Sequence, residues 1–119
     1  MAYQMVLQGT DASRLSFVCR NPALAQDQES LECHMQPNEY LLDALVTLEV
    51  ISQVHRQQIL NDISQQGKVK RILLNVDRCE DGPTKLVDAL KQSESDANAT
   101  LAQELEQTLH DLSQQSALA

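Results

Sequence analysis

The stretch Asn38–Ile51, NEYLLDALVTLEVI, sets the reading of the whole chain. Leu41, Ala44, Leu45 and Leu48 recur at i, i+3, i+4 and i+7, which places them on one face of a helix with 3.6 residues per turn. Asn38 is a residue type that caps helix N-termini, and Pro37 just before it ends whatever precedes. Glu39 and Asp43, at i and i+4, fall opposite the apolar face and are expected to be exposed.

The same pattern repeats on both sides. Downstream, Val50-Ile51 makes a turn and Ser52 caps a helix running through about Leu60, whose period is the weakest of the set (Val54, then Ile59 and Ile63). Gly67 reads as a break, and Lys68 to Cys79 is again periodic through Val69, Ile72, Leu73 and Val76. Asp81-Gly82-Pro83 is a stop and a restart, because proline suits the first turn of a helix. Leu86, Val87 and Leu90 belong to that next helix, and Ser93–Asp96 separates it from a last one carrying Leu101, Leu105, Leu109 and Leu112. Upstream, Asn21-Pro22 restarts a helix with Leu24, Leu31 and Met35 on one face. An earlier piece from about Ala12, capped by Asp11 or Ser13, carries Leu15, Val18 and Cys19, so the first helix is read as kinked or broken.

The expectation is therefore an all-α antiparallel six-helix bundle over 11–112, with tails at 1–10 and 113–119 that fray. Leu41, Leu45, Ile72, Leu73, Val76, Leu90, Leu101 and Leu105 are its expected core.

Composition agrees with that class. Hydrophobic residues make up 42% and aromatics 3%, so the core must be aliphatic. Three glycines and three prolines leave little material for hairpins. No apolar run approaches the roughly 20 residues that span a bilayer, and Met1–Thr10 lacks the basic start and apolar core of a secretory signal. A cytoplasmic location without membrane contact is expected. Three cysteines at irregular spacing, Cys19, Cys33 and Cys79, fit reduced thiols there better than a disulfide framework.

The formal net charge of −8 argues against nucleic-acid partners, which need a cationic surface. The charges are segregated along the chain. Residues 22–49 hold six acidic and no basic side chains, whereas residues 50–79 hold five basic and two acidic ones. Residues 80–119 are again acidic, eight against two. Within the central block Lys68, Arg71 and Arg78 form a stripe beside the apolar arc of their helix.

Groups that carry chemistry are sparse. Cys33-His34 is the only adjacent Cys/His pair, and neighbours on a helix point about 100° apart, which is the wrong geometry for a thiol–imidazole dyad. Cysteines and histidines show no zinc-motif spacing. Gly67-Lys68 lacks the rest of a phosphate-binding loop, and Asn98-Ala99-Thr100 is a glycosylation triplet that matters only in a secreted chain. His55, next to Arg56, is the internal candidate for a phosphotransfer histidine. No catalytic, metal-binding or cofactor-binding residue is expected, and no enzyme activity.

Two segments then bring a known family into view. Tyr40–Ile51 is similar to the second helix and following turn of caspase recruitment domains, which read LLDxLLxxxV[IL]. Gly67–Val76, GKVKRILLNV, resembles their fourth helix. Arg78–Pro83 is similar to their RGP connection, and Leu86–Leu105 follows the pattern of helices five and six, ending in LAQEL. The likeness runs from about Ala12 to Leu112. The chain departs from the family in carrying Leu86-Val87 where many members have an aromatic, and in lacking a glycine between Gln92 and Ala99.

The resemblance implies the Greek-key death fold and a docking function: homotypic contacts that recruit or oligomerise caspases or their adaptors in apoptosis or innate-immune signalling. By position it assigns Arg20, Lys68, Lys70, Arg71 and Arg78 to a basic docking face and Glu39, Asp43 and Glu49 to an acidic one. The implied partner is another such domain, including a second copy in a helical oligomer. The alternatives are another death-fold subfamily (death, death-effector or pyrin) or the prodomain of a cysteine protease whose catalytic domain lies elsewhere.

Overall fold

The computed structural model describes residues 18–118. Over these it is all-helical, with six helices and no strand: α1 Pro22–His34, α2 Glu39–Thr47, α3 Gln53–Asn61, α4 Gln65–Arg78, α5 Gly82–Gln92 and α6 Asp96–Leu118. The expected tail at 1–10 and the helical piece from Ala12 lie outside the described residues.

The first four helices each start on a side-chain cap. Asn21 Oδ1 accepts from the Ala23 and Leu24 amides at 2.9 and 3.4 Å, with Pro22 in the first turn. Asn38 caps α2 through the Leu41 amide at 2.8 Å, and Ser52 caps α3 through the His55 amide at 3.1 Å. Ser64, not singled out in the sequence, caps α4 by accepting from Gly67 N at 2.9 Å.

Two boundaries differ from expectation. Gly67 is not a break but sits in the first turn of α4, fully packed. A Cβ there would strike the Asp62 carboxylate, so glycine serves close approach rather than a turn. At the C-terminal end α6 continues past Leu112 to Leu118, with Leu109 and Leu112 extending its apolar stripe against the core.

Val18 and Cys19 also depart from the helical spacing read for them. The Cys19 amide donates to Gln28 Oε1 at 2.9 Å, and the Arg20 and Asn21 amides donate to the Asp77 carboxylate. With those donors taken by side chains, and with Pro22 holding Asn21 extended, residues 18–21 lie outside any helix.

The core joins all six helices. Every residue expected to be buried is buried, joined by Leu24, Leu31, Met35, Leu42, Ile59 and Leu86, each at most 1% exposed. α5 packs on α6, α2 and α4, and α1 packs on α6 and α4. α3 is the loosest member. Ile59 is its one buried residue, while Val54 is 66% exposed, and Ile63, past the end of the helix, is 77% exposed. Its weak period in the sequence has this packing as its cause.

Two polar pins set the loops. Asn98, completely buried, donates to the Gln36 carbonyl at 2.8 Å and to Ser93 Oγ at 2.9 Å, and accepts from the Gln36 amide at 2.7 Å. It ties the α1–α2 link to the α5–α6 link, so the glycosylation triplet encloses a structural asparagine. Asp62, also buried, accepts from Ser64 N at 3.0 Å and from Arg71 Nε at 2.8 Å, joining the α3–α4 turn to the middle of α4.

Candidate functional site

Two of the basic side chains, Arg20 and Arg78, meet at the C-terminal end of α4, brought together by Asp77. Its Oδ1 and Oδ2 accept from Arg20 N at 3.0 and 2.9 Å, and Oδ1 from Asn21 N at 2.9 Å. The 18–21 segment is thereby held along α4, 57 positions away in sequence. Arg20, Arg78, Asp77, Leu74 and Val18 line one groove of about 520 Å³. Val18 is 79% exposed, so this groove offers an apolar surface beside two guanidinium groups. Asp77 is the residue that builds this groove, and periodicity does not single it out. An acid inside a basic stripe was its only trace.

The other basic residues are placed differently. Lys68 lies half-buried beside Gln36, Pro37, Asn38 and Gln65, in a separate groove. Lys70 is half-buried on α4. Arg71 spends its guanidinium on buried Asp62, and so serves the α3–α4 turn.

On the acidic side, Glu39 is exposed in the first turn of α2, where a carboxylate complements the helix dipole. Asp43 is exposed but pairs with Arg56 of α3 at 2.9 Å. Arg56 thus subtracts from the acidity of that face. Glu49 follows α2 at φ 63°. Its amide bonds the Val46 carbonyl at 3.0 Å and the Val50 amide bonds the Leu45 carbonyl at 2.9 Å, the Schellman arrangement that usually takes glycine. A carboxylate here bears the left-handed backbone cost and also opposes the negative end of the helix dipole. Glu49 is nevertheless exposed and charged at the corner between α2 and α3.

The thiols and histidines are dispersed. Cys19 is buried, and burial, with Asp77 and Glu32 adding, pushes its thiol up to about 11, so at neutral pH it stays protonated and unreactive. Cys33 and His34 are exposed at the end of α1. Cys79 is half-buried, its sulfur 3.7 Å from the Val50 carbonyl. His55 is drawn into the α3 capping box, its Nδ1 accepting from Ser52 N at 3.4 Å. Among the described residues no group of three or more His, Cys, Asp or Glu side chains is placed to hold a metal ion, and no helix is long and apolar enough to cross a membrane. No family model, curated protein or solved structure matches the chain.

Proposed function

We propose that this bundle is a protein-docking module of the death fold, of the caspase recruitment type, which binds another domain of the same kind through oppositely charged faces. The observation that carries the reading is the groove built by Asp77, where Arg20 and Arg78 share one surface although the chain separates them widely. The acidic side chains Glu39 and Glu49 are exposed on a different helix and its corner. Two different, complementary patches on one domain make a heterologous contact, and such contacts extend into helical assemblies when the rotation does not close. Recruitment of caspases or their adaptors in the cytoplasm is the role this docking would serve. Charge contacts of this kind govern orientation and on-rate, and weaken with salt.

The test uses charge reversal on exposed groups, sparing Arg71 because of its tie to Asp62. Arg20→Glu with Arg78→Glu, or Glu39→Lys with Glu49→Lys, is expected to abolish self-association in light scattering while helicity is unchanged. Mixing the two variants restores pairing but stops at short oligomers, since each brings one altered face. Glu49→Gly is expected to raise stability by about 1 kcal/mol and still weaken association. Unchanged association in both double variants would overturn the reading.

A further inference from the structure

α1 and α6 pack side by side, and neither carries a lysine or an arginine, while between them they hold seven carboxylates. At their seam the Thr108 hydroxyl lies 2.7 Å from Asp27 Oδ2 and 3.1 Å from the Glu104 carbonyl. Glu104 also crosses the seam with its side chain, accepting from Ser30 Oγ at 3.0 Å. A hydroxyl has one hydrogen and two lone pairs. It can donate to ionised Asp27, leaving the Glu104 carbonyl without it. Alternatively it can accept from protonated Asp27 and pass its own hydrogen to that carbonyl. The Asp27–Thr108 contact therefore survives in both forms. What the proton changes across the seam is the charge beside Glu104; the bond it frees to the Glu104 carbonyl lies within α6.

We propose that Asp27 and Thr108 form a proton-controlled clasp, which tightens the 104–112 part of α6 on α1 as pH falls. Glu104 faces Asp27 from α6, with its side chain reaching Ser30 of α1. On α4, which also packs on α1, Asp77 holds the Arg20 and Asn21 amides and shares a groove with Arg20 and Arg78. Burial holds the Asp27 carboxyl above its ordinary value, the Thr108 bond opposes this, and the Glu104 charge adds to it. A raised acid binds more protons in the folded than in the unfolded chain, so its stabilising contribution is complete below the ordinary aspartate value of about 3.9. That contribution is lost as pH rises through the raised value. This is opposite in sign to the usual paired carboxylate.

The test is hydrogen exchange on the full chain at about pH 4 and about pH 7.5, corrected for intrinsic rates, because the change begins at the ordinary aspartate value. In the wild type, protection of the 104–112 amides relative to α2 and α5 is expected to rise on acidification, by at most about tenfold per pH unit, the limit for one proton. Asp27→Asn, neutral at every pH and able to donate to Thr108, is expected to show high protection that does not change between the two conditions. Glu104→Gln removes the facing charge and must lower the Asp27 titration midpoint followed by carboxyl-carbon NMR. Wild-type protection that matches Asp27→Asn at both pH values, or a midpoint indifferent to Glu104→Gln, overturns the clasp.

Discussion

Asp62 and Asp27 are both aspartates at a junction of two helices, and they meet opposite surroundings. Asp62 has no side-chain exposure and is met by the Arg71 guanidinium, the Ser64 amide and the Ser64 hydroxyl, the last at 3.3 Å. Asp27 meets one hydroxyl and a second carboxylate across a seam without Lys or Arg. A buried charge is tolerated when a cation and hydrogen bonds replace its water, and it otherwise shifts toward its neutral form. The first aspartate is thus a permanent fastening of the α3–α4 turn, and the second a seam that responds to protons. Identity of the side chain decides neither role; the neighbouring helix does.

The largest effect is expected at Arg71. Arg71→Met removes the cation from buried Asp62, and a loss of about 3 kcal/mol is expected in denaturant unfolding, the scale for a broken buried pair. An unaffected midpoint would show that the remaining bonds to Asp62 suffice. Gly67→Ala comes next, at about 2 kcal/mol, because the added methyl group meets the Asp62 carboxylate and forces the first turn of α4 away. A third aspartate sharpens the contrast from the exposed side. Asp77→Ala releases the Arg20 and Asn21 amides at a cost of ~1–2 kcal/mol, and it should weaken association by more than that stability loss accounts for, since Arg20 leaves the groove. Stability from melts and association from light scattering, measured together, separate the two effects. The smallest change is that of Asp27→Asn, which should melt slightly above the wild type near neutral pH, with the difference closing as pH falls.

Much of the bundle is legible without coordinates. The i, i+3, i+4 pattern in Asn38–Ile51 and in Lys68–Cys79 reports burial directly, since only a residue on the inward arc has to be apolar. Caps at Asn21, Asn38 and Ser52 are equally legible, because a cap bonds amides two or three positions ahead. The candidate docking residues were less so. Periodicity showed Lys68, Arg71 and Arg78 on one stripe, but nothing local shows that Arg71 turns to an aspartate nine positions back, or that Asp43 is met by Arg56. Gly67 differs from its local reading for the same reason. Its local meaning is a break, and only the Asp62 carboxylate against it makes it a packing residue.

The helical class, most of the breaks and the composition of the core are properties of neighbours within about one helical turn, and so can be read along the chain. Which charges remain available at the surface depends on how the helices pack. Asp77 brings Arg20 to Arg78, Asp62 takes Arg71, and Asn98 clamps two links that the chain places 62 positions apart. The physical reason is range. Helix formation is dictated by hydrogen bonds between near neighbours, whereas an ion pair or a polar pin depends on which helices the shared core has laid side by side.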